Sequence, residues 1–392
     1  MRRRWTVKGH RMRSVGLWAA VASLSLVAGL AGQAAGHAAA YQTLLGVIPS
    51  TPGRTAQIWI NDYAAAAEVL GISRPGPEAT DSAVEAYLLA LDRGGVPAGP
   101  FISGFHQYAF SVLPGLRERS GYDVRDVRAS LQDLALVPVR RVAVILDLAA
   151  EDVRQTILRN SAWPTPEQRE HNGVAVLVWD PVFRLDFERR LDAPVFDELG
   201  RVAPLAFAEE GILSASSVED TEAMIDAHQG LTSTLWDADT IRALAEGLAR
   251  LGAYSCVLTD DPSSQSVEHL LPSEQPQLLE RADVGEALRP YEAFGVGVGK
   301  DANGLYMAIV LVHTEEAAAT ENASLLPARL RNGESLAAKK APWSTWFDVE
   351  RTAIELNGST LLAKVPMLPT SSASMWVRWL MERDPLLLFR EE

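Results

Sequence analysis

An order of elements recurs in this chain, and it limits the fold more than any single motif does. Leu146-Asp-Leu-Ala-Ala-Glu-Asp152 passes from a strand-like run into a helix, and Leu311-Val-His-Thr-Glu-Glu-Ala317 does the same 165 residues later. Each is preceded by a strand-like segment, Ile58–Ile60 or Ser255–Leu258, and each is followed by strands and a helix opening near a serine, Ser217 or Ser374. Strand, strand–helix, strand, strand, helix is the order that two copies of a ferredoxin-like unit produce. The expectation is therefore an α+β fold of two tandem ferredoxin-like-type units, mostly antiparallel sheet with helices on one face. The first domain covers residues 41–235 and the second 236–392, after an N-terminal segment of residues 1–40. A chain of 392 residues is long enough for each domain to bury its own core. Internal duplication requires the same strand order in two sheets; one continuous sheet through both halves counts against it.

Local patterning adds detail. Val84, Tyr87, Leu88 and Leu91 recur at i, i+3, i+4, i+7, one face of a helix over 81–92. Asp62 suits an N-cap for a helix that Gly71 closes, and Ser217-x-x-Asp220 has the form of a capping box. Residues 122–133 and 315–330 also read as helices. Arg141-Val-Ala-Val-Ile-Leu146 and 173–179 read as strands. Lys300-Asp-Ala-Asn-Gly304 joins two strand runs, and its Asn-Gly pair predicts a hairpin, as Asn357-Gly358 does further on.

Charge is uneven along the chain. The formal net charge is −14, yet Arg2, Arg3, Arg4, Lys8, Arg11 and Arg13 precede every acidic residue. From Tyr41 onward 30 basic residues face 50 acidic ones, a net of −20, which repels phosphate backbones, so no nucleic-acid partner is expected. The basic segment is followed by Val15–Gly32, apolar apart from Ser23 and Ser25, the order of a secretory leader. Ala38-Ala39-Ala40 offers a cleavage site before Tyr41. The apolar run of 18 residues also approaches the length of a transmembrane anchor, and membrane contact is expected only through residues 15–32 if they stay uncleaved. Either way the body is expected outside the cytoplasm, secreted, periplasmic or anchored. Cys256 is the only cysteine, so an internal disulfide is excluded and a buried hydrophobe is expected.

Ile60-Asn-Asp-Tyr63 with Leu70-Gly-Ile72, and Gly121-Tyr-Asp-Val-Arg-Asp-Val127 leading to Arg141-Val-Ala-Val-Ile145, resemble a group of exported bacterial proteins with two α+β halves and no assigned activity. The resemblance implies export and architecture, and no catalytic residue.

The sequence lacks H-E-x-x-H, G-x-S-x-G, C-x-x-C and the P-loop pattern. Gly295-Val-Gly-Val-Gly299 falls in a strand rather than at a helix N-terminus, which points to close sheet packing. Three groups of residues are left as candidates. His106 sits in a Gly- and aromatic-containing loop where an imidazole could carry protons. His313 with Glu316 at a strand–helix junction could ligate a divalent cation if a further ligand joined them, although Glu315 and Glu316 also suit a first helical turn. Trp343, Trp346, Trp376 and Trp379 could present a binding surface or fill the core. No cofactor is expected. The function expected is a non-enzymatic binding or interaction module of the cell envelope, its partner an envelope protein or small ligand; the alternative is an envelope hydrolase using His106.

Overall fold

The computed structural model describes residues 37–51, 57–97, 116–133, 140–161, 164–182, 201–262, 287–335, 341–373 and 375–377, with residues 184, 186 and 188. Helix α1 (residues 37–45) leads into β1 (Gln57–Asp62), which passes directly into α2 (Tyr63–Leu70). Helices α3 (Asp81–Arg93) and α4 (Leu116–Ser120) precede β2 (Val127–Asp133) and β3 (Arg141–Leu146). After α5 (Ala150–Arg159) come β4 (Glu167–His171), β5 (Val174–Val178), β6 (Leu205–Ala208) and β7 (Gly211–Ala215). Helices α6 (Val218–His228) and α7 (Asp239–Leu251) then lead to β8 (Ala253–Thr259). The chain continues through β9 (Ala293–Asp301), β10 (Gly304–Val312) and α8 (Glu316–Asn332). It ends, among the described strands, with the small pair β11 (Glu334–Ser335) and β12 (Ala341–Pro342) and the hairpin β13 (Ala353–Asn357) and β14 (Thr360–Pro366).

Twelve of these strands form one antiparallel sheet in the order β13-β14-β10-β9-β8-β1-β2-β3-β7-β6-β5-β4. The two halves meet where β1 pairs with β8, Ile58 opposite Leu258 and Asn61 opposite Ser255. Two separate sheets, as the sequence led us to expect, are therefore not formed. Within each half the order is alike, β1-β2-β3-β7-β6 against β8-β9-β10-β14-β13, and β3 and β10 hold equivalent interior places. The shared sheet nevertheless fails the condition set for a two-sheet duplication. A ferredoxin-like unit also needs a parallel neighbour across its strand–helix–strand connection. Here the strand beside β3 is β7, antiparallel to it, reached only after the β4–β5 and β6–β7 hairpins.

Helices cover both faces of the sheet rather than one. On one face Trp59, Val142, Val144 and Leu146 pack against α2, α3, α5 and α8, with Val153, Ile157, Leu326 and Leu330 in the same core. On the other, Ile58, Ile60, Ala143 and Ile145 lie under Leu44 of α1, Ile225 of α6 and Leu244 and Leu248 of α7. The cause is visible in β3, buried along its whole length: from Val142 to Leu146 it is uninterruptedly apolar and has no face it can leave to water.

Most local expectations hold. Asp62 caps α2 by accepting from the Ala65 amide at 2.9 Å, and Gly71 closes it at φ +71°. The β9–β10 hairpin turns at Ala302-Asn303, with positive φ at Gly304 (+119°) and none at Asn303. A Cβ on Gly297 would lie 2.5 Å from the Ser255 carbonyl oxygen, and one on Gly295 2.8 Å from Leu248 Cδ1. The glycine run thus lets β9 sit tightly against β8 and α7. Residues 122–133 depart from expectation: they form a turn and then strand β2, because Val127, Ala129 and Leu131 alternate into the cores beside β1 and β3.

Candidate functional site

The described candidate side chains do not converge on one site: Trp343 and Trp346 touch each other, Trp376 packs on Trp59, and His313 bonds to Ser359 and Asn322. Trp343 is buried, stacking edge-on to half-buried Trp346 at 6.0 Å and tilted against Phe347 at 6.4 Å. Trp376 is buried against Trp59, ring centroids 5.8 Å apart, and its Nε1 donates to the Gly95 carbonyl at 3.0 Å. Both therefore fill the core. His106 and Trp379 lie outside the described residues.

His313 is also committed to the interior. Its Nδ1 donates to the Ser359 carbonyl at 2.9 Å, so Nε2 is left to accept from the Asn322 carboxamide at 2.8 Å. Asn322 in turn accepts from the Arg289 amide at 2.6 Å and donates to its carbonyl at 3.0 Å. Burial pushes the His313 pKa down. Glu316 stands exposed on the first turn of α8, and its carboxylate adds nothing to this ring. Among the described residues no group of three or more His, Cys, Asp or Glu could hold a metal ion. Cys256 is buried, and desolvation drives its thiol up to about 12.

Of the phrases that carried the resemblance, Gly121–Val127 folds into a charged knot. Arg117 pairs with Asp126 through two bonds of 2.9 Å, and Arg125 clasps Asp123 while donating to the Ala79 carbonyl at 3.0 Å. Gly121, at φ +84°, lets this turn press on α5, where a Cβ would lie 2.8 Å from Val153 Cα. The knot is a brace between loop and helix.

A polar seam crosses the middle of the sheet where β8, β1 and β2 run side by side. On the face that carries Trp59, Ser255 Oγ donates to Asn61 Oδ1 at 2.6 Å, and Ser130 Oγ donates to Tyr63 OH at 3.3 Å. Strand register sets Gln132 opposite Trp59 on one side and Val142 on the other. Gln132 is 4% exposed, yet neither end of its carboxamide finds a hydrogen-bond partner. The reading of 122–133 as a helix hid this residue; strand alternation through Ser130 and Gln132, polar against apolar neighbours, was the signal for it. The seam consists of amides and hydroxyls, and burial raises the Tyr63 pKa further above neutral. Such groups can hold a ligand by hydrogen bonds, but they supply no base or acid near neutral pH.

No family model matches this chain, and no curated protein matches it. Among solved structures it is similar to crystal form III of TP0453, with 10% identity over 86% of this chain and 97% of that one. The TM-score is 0.35. So loose a likeness carries no argument about activity.

Proposed function

We propose that this is an exported or membrane-anchored protein of the cell envelope that acts as a non-enzymatic binding module. The buried, unpartnered carboxamide of Gln132 carries the binding reading. A buried amide left unmade costs about 1–3 kcal/mol, and a chain bears that burden where the group has a use. The Asn61–Ser255 and Ser130–Tyr63 pairs flank it with further hydrogen-bonding capacity, and Trp59 supplies an apolar wall. The ligand this chemistry would take is small, with both a donor and an acceptor for the carboxamide and an apolar body for the tryptophan. Export is supported by the basic segment and the apolar run Val15–Gly32 that follows it. The described residues include no helix long and apolar enough to cross a membrane.

Two measurements test the proposal. Residues 1–45 fused to a reporter active only outside the cytoplasm should give activity, and reporter activity confined to the cytoplasm would end the export reading. Native mass spectrometry of the protein recovered from the envelope fraction should show an added small-molecule mass that Gln132→Leu loses. A bare chain mass for both proteins would end the binding reading.

A further inference from the structure

We infer that the mature protein keeps residues 37–40, so that its leader is cut upstream of His37 or not at all. The inference rests on the export reading above. From sequence alone, Ala38-Ala39-Ala40 is the small-residue site that a leader peptidase would take, and Tyr41 the first residue left behind. In the fold that site lies inside a helix belonging to the body. Helix α1 runs over 37–45 and packs Tyr41, Leu44 and Leu45, each at most 1% exposed, into the core beneath the sheet. His37 is itself 2% exposed, its Nδ1 3.6 Å from the buried Asp62 carboxylate at the junction of β1 and α2. Ala38 packs on the same core.

Hydrolysis of the Ala40–Tyr41 bond, with water divided between the two new ends, would leave a carboxylate on Ala40 and an ammonium on Tyr41. Residues 37–40 of α1 would depart with the leader, and their carbonyls are the acceptors for the helical amides of residues 41–44. Only five residues of α1 would remain, too short to hold a helix without strong packing. Asp62 would lose its buried imidazole neighbour. The new ammonium would stand on a chain end free to fray, while Tyr41 must hold still to donate to the Ala253 carbonyl of β8 at 2.6 Å. Upstream, Gln33-Ala-Ala-Gly36 provides small residues at which a cut leaves the described residues 37–45 of α1 in place.

The test is N-terminal sequencing and intact mass of the chain recovered from the extracytoplasmic fraction of cells expressing the full sequence. A first residue at position 37 or earlier, Met1 included, is the expected result. A first residue between 38 and 41 overturns the inference and leaves export standing. A chain beginning at Met1 and found only in the cytoplasm overturns the export reading, and the inference falls with it. Ala40→Gln, which blocks a small-residue cut after position 40, should leave the mature N-terminus and the yield of processed chain unchanged. Accumulation of unprocessed Ala40→Gln beside a processed wild type would overturn the inference independently.

Discussion

Gln132 and His313 are both polar and buried, and they should respond to substitution in opposite ways. Replacing the Gln132 carboxamide by the similarly sized leucine removes an unmade pair of hydrogen bonds and adds apolar contact beside Trp59. Gln132→Leu should melt at or above the wild-type temperature, by up to about 1–2 kcal/mol of stability. A clear loss would show that the carboxamide has a structural task. At His313 both ring nitrogens are engaged, and the native pKa lies below the ordinary 6.5. As pH falls through 6.5 the unfolded chain takes up a proton that the native ring refuses. This contribution to stability is complete above 6.5 and is lost as the pH drops toward the native pKa. Melting temperatures from about pH 7.5 to pH 5 should record that fall, and His313→Gln, which keeps a donor for Ser359 and an acceptor for Asn322, should flatten it. An unflattened profile would remove His313 as a cause. Sequence singled out His313 for its chemistry and passed over Gln132. Residue types were legible, but whether a neighbour answers each polar atom depends on packing, which a lone sequence does not display.

Two glycines of the β9–β10 hairpin separate torsion from space. Gly304 has φ +119° with open room around its missing Cβ, so Gly304→Val is penalised through the backbone alone, by about 1–3 kcal/mol. Gly297 has an ordinary strand conformation but no room, a Cβ falling on the Ser255 carbonyl, so Gly297→Val must push β9 off β8. Thermal melts should rank Gly297→Val as the more damaging, and equal losses would count against the close approach of the two strands. This hairpin was legible because Asn-Gly names its turn. The β4–β5 hairpin went unread although Asn172-Gly173 forms its turn at φ +49° and +81°. Its first strand, Glu-Gln-Arg-Glu-His, is polar throughout and exposed along an edge, so it carries none of the apolar alternation that marks a strand. Strand β2 was misread although Val127, Ala129 and Leu131 alternate with Arg128, Ser130 and Gln132, because its polar positions Ser130 and Gln132 are buried with the apolar ones and the alternation was passed over for a helix.

At the scale of the whole molecule, the pairing of β1 with β8 makes the two halves one structural body. Neither half can melt without baring an inner strand edge and the cores above and below it. Calorimetry should therefore show one transition, with calorimetric and van't Hoff enthalpies in agreement. Two resolved transitions would restore the two-domain picture. Much of the order of elements could be read from sequence, because strands such as β3, β8, β9 and β10 and helices such as α3 and α7 announce themselves locally, while β2 and β4 do not. That the halves share a sheet could not, since it depends on which two strand edges are left to meet. The junction also imposes a timetable on the newborn chain. Ser255 lies 194 residues beyond its partner Asn61, about 10–40 s of synthesis at about 5–20 residues per second. Throughout that interval β1 can pair with β2 on one side only. A strand at the centre of the finished sheet is thus, for about half of the chain's manufacture, a bare edge that any passing strand could claim.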